Sequence, residues 1–97
     1  MSEMLAVIKD LGTRKDEVRD YIDLMVLWYR DVLLFKATKD INQLLFQDEA
    51  SYISREASHR SYEKIEEILQ AFEKAKVRLR ANVNFDITME LMLLALK

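Results

Sequence analysis

Apolar residues recur along this chain at the three- and four-residue spacings of packed helices, and five or six helices are expected. The first runs from about Glu3 to Leu11, with Met4, Leu5, Ile8 and Leu11 on one side. Gly12 follows where a left-handed cap is wanted. Thr13 then suits the N-cap of a second helix, with Asp16 and Glu17 in its first turn, where negative charge complements the helix dipole.

That second helix, about Arg14 to Ala37, is the longest, at ~36 Å by the usual rise per residue. Val18, Tyr21, Ile22, Leu24, Met25, Val26, Trp28, Tyr29, Val32, Leu33 and Phe35 cover more than half its circumference. A surface helix shows a narrower stripe. On its charged side Leu27 and Leu34 stand among Asp20, Asp23, Arg30 and Asp31. This helix is therefore expected to be covered on two sides, centrally or at an interface.

From Asp40 to Arg60 the pattern weakens. Ile41, Leu44, Leu45 and Phe46 suggest a helical turn or two, and Asp48 is a candidate cap for a short helix carrying Ala50, Ile53 and Ala57. Ser51, Ser54, Ser58 and Ser61 make this the expected site of irregular structure.

The pattern then sharpens over about Ser61 to Ala81, where Tyr62, Ile65, Ile68, Leu69, Phe72, Ala75 and Leu79 fall on one arc. Asn82-Val83-Asn84 reads as a tight corner, Asn82 ending one helix and Asn84 capping the next. The last helix, Phe85 to Lys97, carries Ile87, Met89, Leu91, Met92, Leu93, Leu94, Ala95 and Leu96 in nearly every direction. A helix apolar all round is buried all round. In so small a domain, part of that surface is expected to meet another protein chain.

Composition narrows the class. The 97 residues form one domain, residues 1–97, with 51% hydrophobic and 33% charged residues. One glycine and no proline leave almost no turn chemistry for sheets, so the fold class is all-α, a small helical bundle. The absence of cysteine excludes a disulfide framework and a thiolate nucleophile, and suits a cytoplasmic location. The apolar runs Leu24–Tyr29 and Leu91–Leu96 are far shorter than the ~20 residues of a membrane span. A formal charge of -2 argues against nucleic acid or an anionic membrane as the main partner.

The candidate chemistry is thin. Glu56-Ala57-Ser58-His59 has the Glu-x-x-His spacing of carboxylate-bridged di-metal bundles, but such sites need two of these motifs and His59 is the only histidine. A solvated histidine is the favoured reading. A phosphate loop needs more than Gly12, and no nucleophile motif surrounds any serine. The basic residues Lys74, Lys76, Arg78 and Arg80 alternate, so they point to nearly opposite sides of a helix and form no single stripe. Lys76 falls inside the apolar arc, its amine reaching out to solvent. Trp28-Tyr29-Arg30-Asp31 has the composition of a binding hot spot, yet core rings beside a solvated ion pair are favoured. The methionines read as gap-fillers. No catalytic residue, cofactor, metal or small-molecule ligand is expected; the chain is read as a non-enzymatic protein-binding domain.

The residues Leu27-Trp28-Tyr29-Arg30-Asp31-Val32-Leu33-Leu34-Phe35-Lys36-Ala37-Thr38 resemble a motif in the C-terminal, or collar, domain of bacterial DNA polymerase III clamp-loader subunits, above all delta-prime. Asn82-Val83-Asn84, with Ile87, Met89-Glu90 and Leu91-Met92-Leu93-Leu94-Ala95-Leu96, resembles the closing segment of the same family. The resemblance spans about Tyr21 to Lys97. It departs at Phe85, where family members often carry proline, and at Gln43 to Arg60, which matches no motif. Gamma/tau subunits share a similar domain.

The resemblance implies an oligomerisation module, a fragment of a longer subunit with Met1-Ser2 as an added start. Such domains pack side by side into a five-membered ring. ATP binding, sliding-clamp opening and DNA contact lie in other domains. The implied partners are the gamma/tau and delta subunits, with no direct nucleic acid and no membrane. Trp28, Tyr29, Arg30, Leu91, Leu94 and Leu96 are the expected structural or interface residues. Two other classes stay open: a free-standing helical adaptor that binds a partner helix, and a nucleic-acid binder using Lys74 to Arg80.

Overall fold

A computed structural model describes residues 15–97; the expected first helix, the Gly12 cap and the Thr13 cap lie outside them. Helix α1 spans Lys15–Thr38, α2 Ala50–His59, α3 Tyr62–Arg80 and α4 Phe85–Ala95. Two short 3-10 turns, Ile41–Gln43 and Gln47–Glu49, join α1 to α2. The described residues are thus all-helical, with no strand, and hold four α-helices where the pattern over the whole chain suggested five or six.

The helix ends have local causes. Helix α1 stops where Lys39 turns left-handed (φ 57°) and donates its N–H to the Phe35 carbonyl at 2.8 Å, the single bond of a simple left-handed cap. Helix α3 stops in a fuller version of the same device. Asn82 is left-handed (φ 57°), its N–H reaches the Leu79 carbonyl, and the Val83 N–H reaches Arg78; this pairing is the Schellman motif. Asn84 then caps α4 by accepting from the Ile87 N–H at 3.0 Å. The Asn82-Val83-Asn84 corner has the form the sequence predicts.

Helix α1 is central. It packs against α2 and α3, while α4 packs against α3. Val18, Ile22, Met25, Tyr29 and Val32 form the fully buried stripe of α1, and Val26 and Trp28 widen it. Ile53 and Ala57 of α2 meet it from one side, and Ile65, Ile68, Phe72, Ala75 and Leu79 of α3 from another. Each large aliphatic side chain enclosed in this way contributes about 1.5–3 kcal/mol relative to exposure.

The segment between α1 and α2 departs from the pattern for a polar reason. Asp31, which the pattern assigned to the charged side of α1, is only 3% exposed. Its Oδ1 accepts the Leu45 N–H at 3.1 Å and its Oδ2 the Phe46 N–H at 2.8 Å. Amides held by a carboxylate are not free to form helix bonds, so Leu44 to Phe46 runs irregularly. Asp48 lies inside the second 3-10 turn and does not cap α2, whose N-cap, Glu49, makes no side-chain cap bond. Ser51, Ser54 and Ser58, expected in irregular structure, lie within α2, and the Ser58 hydroxyl donates to the Ser54 carbonyl at 3.0 Å. Ile53 and Ala57 explain this: burial of the short apolar stripe overrides the weak propensity of serine.

Candidate protein-binding surface

The residues singled out in the sequence divide between the interior and the surface. Trp28 is buried edge-on against Tyr29, with ring centroids 5.2 Å apart and planes at 76°. Tyr29 in turn tilts against Phe72 of α3 at 5.7 Å. Leu96 closes the core from the end of α4. Arg30 is exposed on the outer side of α1. Leu91 and Leu94 are 44% and 55% exposed.

Tyr29 also belongs to a polar chain that the hydrophobic pattern did not reveal. Its hydroxyl donates to Glu56 Oε2 at 2.9 Å, and the same oxygen accepts from Arg60 Nε at 2.8 Å. Arg60 Nη2 donates to the Leu96 carbonyl at 2.6 Å. Burial pushes the Tyr29 phenol well above its ordinary range, and the Glu56 charge adds to that. Lys36 makes a separate tie from α1: its amine donates to the Ala57 carbonyl at 2.8 Å and lies 5.1 Å from the centre of the Tyr62 ring. A cation there suits the C-terminal end of α2.

One signal in the sequence bears on these contacts. Glu56 and Arg60 have the i, i+4 spacing of a helical ion pair. Their reach to Tyr29 and Leu96 joins residues distant in sequence and depends on the fold. Glu56 of the Glu-x-x-His match is engaged by Tyr29 and Arg60, and His59 is exposed. Among the described residues no group of three or more His, Cys, Asp or Glu converges. No described helix is long and apolar enough to cross a membrane.

The basic residues of α3 are dispersed. Lys76 lies against the apolar arc and its amine meets Asp23 of α1 at 2.6 Å, as a stem-buried lysine should. Lys74 and Arg78 line a groove of about 280 Å³ between α3 and α4, with Glu67, Gln70, Ala71, Leu91 and Ala95. Glu67 tempers its positive charge. The arrangement is a shallow mixed groove and lacks the continuous basic stripe that a phosphate backbone selects.

Among the described residues, exposed large apolar side chains occur on several segments, Leu45 of the α1–α2 link and Val77 of α3 among them, and α4 carries three of them on one side. Thr88, Met89 and Met92 face inward. Ile87 is 53% exposed and, with Leu91 and Leu94, recurs at i, i+4 and i+7 along the opposite side. Leu94 also borders a second depression of about 270 Å³, with Glu90, Leu93 and Lys97. This helix was expected to be buried all round. Among the described residues its inward face alone is covered, because α3 is the main neighbour it packs against. A contiguous apolar stripe with a polar rim is the usual mark of a protein interface.

A family model described as DNA polymerase III, delta subunit, C terminal, matches residues 2–97. No curated protein and no solved structure matches the chain.

Proposed function

The chain belongs to the family of C-terminal domains of the DNA polymerase III delta subunit, and from this premise we propose that it holds a clamp loader together through the outer face of α4. The family is a non-catalytic structural domain of the clamp loader. The observation that carries the reading is the stripe Ile87, Leu91 and Leu94, left in solvent while Thr88, Met89 and Met92 pack inward. Burying such leucines against a neighbour contributes about 25 cal/mol per Å² of apolar surface removed from water.

In the finer reading the chain is the collar domain of delta-prime and a fragment of a longer protein. It acts in the cytoplasm beside the C-terminal domains of gamma/tau and delta. The blocks Leu27–Thr38 and Asn82–Leu96 support this choice. Trp28, Tyr29 and Leu96 are then the structural residues, and Arg30, Leu91 and Leu94 lie at interfaces.

The test mixes the chain with the gamma/tau and delta C-terminal domains and measures mass by light scattering at tens of micromolar. A complex is expected, and Leu91→Glu or Leu94→Glu is expected to remove it, since a carboxylate at the centre of an apolar contact is costly to desolvate. A wild-type mixture that stays unassembled overturns the reading.

A further inference from the structure

We propose that Arg60 is a positioning residue for the outer face of α4, holding Leu91 and Leu94 in the pose a partner reads; the inference rests on the docking role proposed above. Arg60 forms, with Ser61, the short link between α2 and α3. Its backbone is extended, and its N–H caps α2 by donating to the Glu56 carbonyl at 3.0 Å. From that fixed base its side chain, 14% exposed, turns toward the end of α4. Nε donates to Glu56 and Nη2 donates to the Leu96 carbonyl. Glu56 is itself held by the Tyr29 hydroxyl. One polar chain therefore runs from the middle of α1, through α2, to the last turn of α4.

Among the described residues, Arg60 to Leu96 is the one hydrogen bond that ties α4 to another part of the fold. The remaining attachment is apolar, through Met89, Met92 and Leu96. Apolar contact is non-directional, so it holds a helix on its neighbour more firmly than it sets its rotation or slide. A planar guanidinium sets both, because its donors leave at fixed angles. The carbonyl it takes is one of those a helix end leaves without an internal partner. Leu91 and Leu94 lie within two turns of that carbonyl, so the tether acts where the exposed stripe is presented. Fixing the stripe before encounter lowers the ordering cost of association.

Affinity for the gamma/tau C-terminal domain is measured by titration calorimetry for wild type, Arg60→Ala, Arg60→Lys and Leu91→Glu, at a temperature where circular dichroism shows full helicity. Amide exchange at Ala95, Leu96 and Lys97 is followed in parallel. Arg60→Ala is expected to weaken binding about tenfold or more and to speed that exchange, as removal of a charged bond and its ordering effect requires. Arg60→Lys, which cannot span both acceptors, should fall between. A merely structural role would lower the melting temperature and leave the affinity of the folded population unchanged. Wild-type affinity in Arg60→Ala, with binding lost in Leu91→Glu, overturns the positioning role and leaves the docking face standing. Wild-type affinity in Leu91→Glu overturns the docking face itself. Should Arg60→Ala fail to fold, wild-type affinity in Arg60→Lys overturns the positioning role.

Discussion

Helices α1 and α4 are both dense in large apolar residues, yet among the described residues α1 is packed between two helices and α4 mainly against one. In α1, Trp28 and Tyr29 lie inside, and Asp31 and Lys36 reach across to neighbouring segments. In α4, Ile87, Leu91 and Leu94 face outward. The difference teaches that the number of neighbours, rather than apolar content, decides what a helix residue does. With α2 and α3 on either side, almost every large residue of α1 has an internal partner. With α3 as its main partner among the described residues, α4 keeps an exposed outer side.

The sharpest break of this contrast is a pair of truncations. Trp28→Ala should cost about 3–5 kcal/mol of unfolding free energy, because the ring leaves a cavity that closes only in part. Leu94→Ala should cost less than about 1 kcal/mol, since most of that side chain already meets water. Chemical denaturation of both reads the difference. Equal costs would mean that α4 is covered on both sides in solution.

A smaller effect probes the polar side of α1. Asp31→Asn keeps the shape but replaces one acceptor oxygen with an amide that cannot accept the Leu45 or Phe46 N–H. A loss of about 1–3 kcal/mol is expected from one buried donor left unpaired, with faster amide exchange at Leu45 or Phe46. Unchanged stability would show that the link between α1 and α2 is held by its apolar contacts alone.

The smallest effect is alkaline. The folded state holds the Tyr29 proton more tightly than the unfolded chain does, because the phenol is buried and faces Glu56. Between the ordinary phenol range and the raised one, the unfolded state binds fewer protons, so stability falls as pH rises above about 10. Below that pH the contribution is constant. Tyr29→Phe should flatten the fall by up to about 1.4 kcal/mol per pH unit, read from unfolding midpoints across pH 9–11. Parallel curves for the two proteins would detach Tyr29 from the alkaline limb.

Much of this architecture was legible from local pattern. The long α1, the arc Ile65, Ile68, Phe72, Ala75 and Leu79, the Asn82-to-Asn84 corner and the stem-buried Lys76 follow from periodicity and capping. These interactions span few residues, or concern one helix face, and are written in adjacent letters. The segment from Asp40 to Arg60 was less legible. Its course depends on Asp31, which lies in α1 and whose carboxylate holds the Leu45 and Phe46 amides. Its neighbour α2 depends on Ile53 and Ala57 finding α1.

Sequence alone determined that the chain is helical, that α1 must be enclosed and that α4 carries more apolar surface than a small domain can hide. Those are consequences of spacing and of the hydrophobic effect, which act residue by residue. Which face of α4 stays outside was decided only by the tertiary structure, since it depends on where α3 lies. The same holds for Asp31, turned from an apparently solvated acid into a buried acceptor, and for Arg60, which meets Leu96 across the fold. A buried polar group needs a partner, and only the folded chain brings that partner within reach.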